Sequence, residues 1–126
     1  LEIGTYDSGG LLLEIGGSTS GSENKTFRVY IASLSDNILC YFGNMDWSVY
    51  HHFAIVSNDT NVKTYLDGTV LANQPASKNI TGTSLRIMNA RYNTSHSMLG
   101  YIDEFRISNI ARWTENFTPP TAPYTK

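Results

Sequence analysis

The chain has 126 residues, with nine Lys and Arg against eleven Asp and Glu, so its formal net charge is −2. That length favours one domain, and the absence of a basic run excludes a protein that binds nucleic acid mainly through its charge. No apolar run approaches the ~20 residues that a membrane-spanning helix needs, so we expect no membrane insertion. A single cysteine excludes internal disulfides and multi-cysteine zinc sites.

Few charged residues (16 %) and many aromatic residues (12 %) favour an all-β fold. Short runs of apolar residues, or of alternating apolar and polar residues, predict about eight strands. The strands are predicted at 11–15, 27–31, 38–42, 52–56, 62–66, 69–72, 85–88 and 99–107. Asp67 and Gly68 separate two of these runs and predict a type I′ hairpin turn, because both central positions of that turn need positive φ. The spacing of the strands predicts a sandwich or jelly roll.

The chain after the last predicted strand has weaker signals. Residues 109–116 predict one short helical turn, with Asn109 as its N-cap. Residues 119–126 are rich in proline and predict an extended surface tail. Trp113 and Phe117 are expected to pack this tail onto the sandwich.

Three segments together resemble the laminin-G-like, concanavalin A-like lectin/glucanase superfamily. They read YHHFAIV at 50–56, VKTYLDGT at 62–69 and LGYIDEFRIS at 99–108. Tyr50 departs from the family pattern, which has Trp before the two histidines. The resemblance implies a jelly-roll sandwich of two antiparallel sheets over residues 1–118.

The resemblance also bears on the beginning of the domain. Members of the family commonly open with an aromatic-rich strand, whereas residues 1–6 look like the strand that follows it. We therefore expect that the domain lacks its first strand, and that the sheet is either trimmed or completed by upstream or neighbouring chain at its open edge. This predicts a fragment of a longer protein or an oligomer, such as a homo-oligomer.

The segment 101–124 is similar to the ends of such domains in bacteriophage structural proteins, where they occur in tails and tail fibres. This resemblance implies a location on a virion or, as an alternative, on a cell surface. The resemblance to the superfamily also raises the question of catalysis, because the superfamily includes glucanases.

The carboxylates do not predict an enzyme. Glucanases of this fold place E-x-D-x-x-E along one strand, so that nucleophile and acid meet in one cleft, and the chain lacks that pattern. Asp103 and Glu104 are adjacent and diverge on a strand; Asp103 is expected to bind nearby backbone or Arg106. A glycoside hydrolase built from carboxylates of different strands is the third alternative, and we predict no catalytic residue.

His51 and His52 are also adjacent. Neighbouring strand residues point to opposite faces, so the two rings cannot chelate one metal. His52 shares a face with Ala54 and Val56 and is expected to be structural.

The loop after the strand predicted at 85–88 is the candidate ligand site, because it combines an aromatic ring, a cation and amides, as sugar sites do. Its candidate residues are Asn89, Arg91, Tyr92, Asn93 and His96. We predict no cofactor; calcium, which is common in the superfamily, would have Asn89 and Asn93 as weak candidate ligands, because the loop contains no carboxylate. Tyr6, Trp47 and Tyr50 are a second aromatic group, for which core or rim packing is the alternative.

These observations predict a non-catalytic module that recognises a carbohydrate or host-surface receptor. The alternative is a purely structural decoration or assembly domain without a ligand. The predicted partners are the receptor and neighbouring protein subunits.

Overall fold

The computed structural model describes residues 2–4, 9–15, 26–31, 33–41, 45–46, 48–58, 60–75, 82–88 and 100–125. Regular structure in these ranges consists of strands, with no helix. The strands are β1 Glu2–Ile3, β2 Leu11–Ile15, β3 Thr26–Ile31, β4 Ser33–Tyr41, β5 Phe53–Ser57, β6 Asn61–Leu66, β7 Thr69–Pro75 and β8 Leu85–Arg86. The first seven strands predicted from 11–15 to 85–88 are therefore present, with shifted ends.

The strands form two antiparallel sheets. One has five strands in the order β4-β3-β2-β1-β8, and the other has three in the order β5-β6-β7. Every recorded pairing is antiparallel, including β1 with both β2 and β8. The predicted all-β, antiparallel fold is confirmed.

Side chains from both sheets share one apolar cluster. Leu11 and Val29 come from the five-stranded sheet, and Val62 comes from the three-stranded sheet. Ile55 and Leu71 pack against this cluster from β5 and β7. This shared burial joins the two sheets, because apolar surface removed from water stabilises the fold by about 25 cal/mol per Å².

Strand β6 is buried on both of its faces. Val62 and Thr64 are two positions apart and lie on the face toward the shared cluster, whereas Tyr65 points the other way. Tyr65 is nevertheless 0 % exposed. Its ring contacts that of Phe117, with the centroids 5.4 Å apart, so residues after position 100 cover the outer face of this sheet.

The turn between β6 and β7 has the predicted conformation. Asp67 has φ 49° and Gly68 has φ 80°, as a type I′ turn requires. The Phe117 amide donates to the Gly68 carbonyl oxygen at 2.9 Å. A Cβ at position 68 would overlap the backbone of Phe117, so only glycine combines this φ with this close approach.

The predictions of a strand at 99–107 and a helical turn at 109–116 are wrong within the described residues 100–125, which form neither. Residues 100–107 alternate as a strand would, but no strand in the described residues pairs with them. Tyr101 and Ile107 are therefore 83 % and 63 % exposed. In place of a helical turn, the backbone of this segment contacts the sheet. The carbonyl oxygens of Trp113 and Thr114 accept from Tyr65 and Lys63 of β6.

Gly68→Ala is expected to lower the free energy of unfolding by about 2 kcal/mol or more, because a left-handed backbone costs a side-chain-bearing residue about 1–2 kcal/mol and the new methyl group meets Phe117. Denaturant unfolding would measure the change. Thr69→Ala, at the next and exposed position, is the matched control and should change stability by about 0.5 kcal/mol or less. Equal effects of the two substitutions would contradict this role of the turn.

Candidate functional site

The Asp67 carboxylate connects the turn to the start of β5. Its Oδ2 lies 2.8 Å from His51 Nδ1, and its Oδ1 accepts from the His52 amide at 2.8 Å. The Asp67 amide in turn donates to the His52 carbonyl oxygen at 2.8 Å. Three contacts therefore fix the two histidines relative to the hairpin.

Both ring nitrogens of His51 face oxygen atoms. Nδ1 meets the Asp67 carboxylate, and Nε2 lies 3.0 Å from the Asp46 carbonyl oxygen. Only the protonated ring donates at both positions. The hydrogen bond to Asp67 raises the pKa of His51. Partial burial opposes ionisation of Asp67, but hydrogen bonds from His51 and from the His52 amide outweigh it and hold the pKa of Asp67 below its usual value.

His52 has a different environment. Its ring meets the rings of Trp113 and Phe117 edge-on, with centroids 5.4 and 5.5 Å away. Nε2 lies 3.0 Å from the Tyr124 hydroxyl, whereas Nδ1 is buried and has no hydrogen-bond partner among the described residues. Burial lowers the pKa of His52. The expectation that the two histidines diverge, with His52 structural, agrees with these contacts.

Trp113 and Phe117 form a parallel stack, with centroids 4.2 Å apart and planes 7° from parallel. The stack lies over Tyr65, whose hydroxyl donates to the Trp113 carbonyl oxygen at 3.3 Å. Burial raises the pKa of Tyr65. The Val70 amide donates to Asn116 Oδ1 at 2.9 Å, which fixes the same segment to β7. Trp113 and Phe117 thus pack on the sheet as the sequence predicted.

The residues that follow return to the same place. Arg106 holds its guanidinium carbon 4.9 Å from the centroid of Tyr124 and donates from a terminal nitrogen to the Thr125 carbonyl oxygen at 2.7 Å. The Tyr124 amide donates to Glu104 Oε2 at 2.8 Å. Asp103 Oδ1 accepts from the Glu104 amide at 2.9 Å, so its partner is backbone, one of the two options expected for it.

An open depression of about 390 Å³ lies where these groups meet. Its lining has two guanidinium groups, two aromatic rings and three small or aliphatic side chains. They are Arg106, Arg112, Trp113, Tyr124, Ile110, Ala111 and Pro120. The depression is widely open to solvent, unlike the concave clefts that enclose most of a ligand, and its lining combines aromatic rings with fixed polar groups.

The loop site predicted from the sequence lies outside the described residues. This applies to Asn89, Arg91, Tyr92, Asn93 and His96, to the calcium ligands proposed among them, and to Tyr6 and Trp47. Those assignments stay predictions.

The sequence patterns do not predict the depression. They place its Arg and aromatic residues in a strand, a helical turn and a tail, whereas in the structure the return of Tyr124 to Arg106 and His52 brings them together. The signal available was the mixture of cations and rings within one stretch after residue 100.

Among the described residues, no three His, Cys, Asp or Glu side chains are close enough together to hold a metal ion. The same part of the chain has no helix that could cross a membrane.

A family model decides the classification. The model Laminin_G_3, described as the concanavalin A-like lectin/glucanases superfamily, matches residues 3–116. The chain belongs to this superfamily. No curated protein and no solved structure matches the chain. The laminin-G-like resemblance of the sequence is therefore confirmed at the level of the family.

The pair His51 and Asp67 is expected to make stability depend on pH. A raised folded pKa of His51 means that the contribution is complete below about pH 6.5, the unfolded value, and is lost as the pH rises through the folded value. The lowered pKa of Asp67 means that the contribution is lost again as strong acid protonates this carboxyl group. Asp67→Asn should therefore lower the free energy of unfolding by up to about 1 kcal/mol at pH 5.5 and by less at pH 8.5.

The same substitution in a His51→Gln background is the control. There Asp67→Asn should have equal effects at pH 5.5 and 8.5, as measured by urea unfolding. A pH-independent effect in the wild-type background would show that the pair does not titrate as described.

Tyr124→Phe is expected to reduce the free energy of unfolding by about 1 kcal/mol, because it removes the recorded hydrogen-bond partner of the His52 ring. Tyr101→Phe removes a hydroxyl from an exposed side chain and should change stability by less than about 0.5 kcal/mol. Thermal and urea unfolding of both variants would compare them. Indistinguishable stabilities would mean that the His52–Tyr124 contact does not hold the segment.

Proposed function

We propose that the chain is a non-catalytic module that recognises a glycan or host-surface receptor, displayed on a virion, in a tail or tail fibre, or on a cell surface. Laminin-G-type domains of this superfamily are often non-catalytic binding modules, although the superfamily includes glycoside hydrolases. The observation that carries the proposal is the depression with Trp113 and Tyr124 in its lining. Sites for small polar ligands usually combine aromatic rings with a few fixed hydrogen-bonding groups.

The roles of the carboxylates support a binding role without catalysis. Asp67 is occupied by His51 and the His52 amide, and Asp103 and Glu104 accept from backbone amides. A glycoside hydrolase needs two carboxyl groups that face each other across a cleft. Asp67, Asp103 and Glu104 instead each accept a hydrogen bond from a backbone amide.

The depression is open, so a single site is expected to bind weakly. When several copies are displayed on one particle, binding of the first copy makes binding of the next one intramolecular. The avidity then exceeds the affinity of a single site by about 10²–10⁴-fold. A repeated location on a virion or a cell surface would supply those copies.

A glycan array probed with the multivalent domain, with calcium and with chelator, tests the proposal. We expect binding to a defined group of glycans. Loss of that binding in Tyr92→Ala would place the ligand in the loop predicted from the sequence, and loss in chelator would implicate calcium. A blank array, at a display density where a known weak lectin gives signal, would contradict the proposed function.

A structural role is the second candidate, and one observation favours it. Residues 101–110 expose Tyr101, Ile107 and Ile110, each at least 63 % accessible, and such an unpaired apolar stretch is typical of an assembly surface. Sedimentation of wild type and of Ile107→Ser would test it. Association that Ile107→Ser abolishes, together with a blank array, would favour this candidate.

A further inference from the structure

We infer that the depression lined by Arg106, Arg112, Trp113 and Tyr124 binds a saccharide that carries a carboxylate or sulfate group. The inference rests on the proposed function and adds to it the ligand class and the residues that recognise the ligand. It depends on how the two guanidinium groups are held.

Arg112 is oriented by an uncharged partner. Its Nε donates to Ser108 Oγ at 2.7 Å, which fixes the guanidinium plane from one edge. No hydrogen bond or ion pair is recorded for its two terminal nitrogens in the part of the chain that the structure describes. A guanidinium offers parallel N–H groups that match the two oxygens of a carboxylate or sulfate.

Arg106 lies in the same lining and is also without a carboxylate partner among the described residues. One terminal nitrogen donates to the Thr125 carbonyl oxygen, and the cation lies over the Tyr124 ring. Glu104 is the acidic side chain recorded beside this arrangement, and its Oε2 accepts from the Tyr124 amide. Among the described residues neither guanidinium forms an ion pair with a carboxylate, and both line the depression.

The local charge contrasts with that of the whole chain. The net charge of the chain is −2, so the chain as a whole does not attract anions. Attraction of an anion to the depression would come from its two arginines. Each guanidinium is held by a contact with an uncharged group, Ser108 for Arg112 and the Tyr124 ring with the Thr125 carbonyl for Arg106. Orientation without neutralisation is the arrangement that recognises an anionic group at low reorganisation cost.

The rest of the lining favours a saccharide as the carrier of the anion. Trp113 and Tyr124 supply flat aromatic surface, and Ala111 and Pro120 supply small apolar surface. A sugar ring has an apolar face of C–H groups that packs on such surface, while its charged substituent reaches a guanidinium. An acidic peptide is the alternative occupant and becomes an outcome of the test.

The test uses pairs of oligosaccharides that share a backbone and differ in whether their acidic groups are present as anions. Oligogalacturonate and its methyl ester share one backbone, and a sulfated glycosaminoglycan oligomer and its desulfated form are the second pair. Biolayer interferometry would compare wild type with Arg112→Gln, Arg112→Lys and Arg86→Gln. Arg86 is exposed on β8 of the other sheet, so Arg86→Gln removes one positive charge away from the depression.

We expect wild type to bind the acidic member of at least one pair more tightly than its neutral counterpart. Arg112→Gln should weaken that binding about ten-fold to a hundred-fold, as hydrogen bonds to charged groups do, whereas Arg86→Gln should leave it within about two-fold. Arg112→Lys should recover part of the loss, because it keeps the charge without the paired N–H groups. Circular dichroism would show that each variant is folded.

Three results would overturn the inference, and they separate it from the proposed function. Binding of neutral glycans that Arg112→Gln does not change would leave the proposed function standing and remove the acidic ligand. Equal losses in Arg112→Gln and Arg86→Gln would reduce the effect to overall charge. A blank with every saccharide, together with binding of an acidic peptide that Arg112→Gln abolishes, would overturn both and assign the depression to a protein partner.

Discussion

The left-handed turn at Asp67 and Gly68 is the constraint on which the described architecture around the three-stranded sheet depends. With positive φ at both positions, the Asp67 side chain lies toward the histidines before β5. Because Gly68 has no Cβ, the backbone of Phe117 can approach it closely. One carboxylate and one missing Cβ thus join three separate segments. The Trp113–Phe117 stack then closes the outer face of the sheet.

Rings and single hydrogen bonds, instead of a strand ladder, attach residues 100–125 to the sheet. Trp113, Phe117 and Tyr124 surround His52, and isolated donors from β6 reach the carbonyl oxygens of the segment. A ladder uses the backbone groups of every second residue, whereas the described attachment consists of ring contacts and a few separate hydrogen bonds. Arg106 and Arg112 therefore line an open depression instead of lying beside a neighbouring strand of the described sheet.

The sequence predicted what depends on local rules. The two-residue turn, the antiparallel strands from β2 to β7 and the divergence of His51 from His52 follow from φ preferences and from the period of two. The predicted strand at 99–107 failed because the same period does not specify a pairing partner. The depression was missed because Arg106 and Tyr124 meet through a chain return that neither local propensity nor spacing encodes.

The attachment of residues 100–125 also orders the events of folding. Its contacts join residues 46–72 positions apart, as between Val70 and Asn116 or His52 and Tyr124, and closing such long loops is slow compared with forming the β6–β7 hairpin. We therefore expect the β6–β7 hairpin to form before residues 100–125 cover Tyr65. Since segments with few backbone bonds open first, we expect unfolding to begin in residues 100–125.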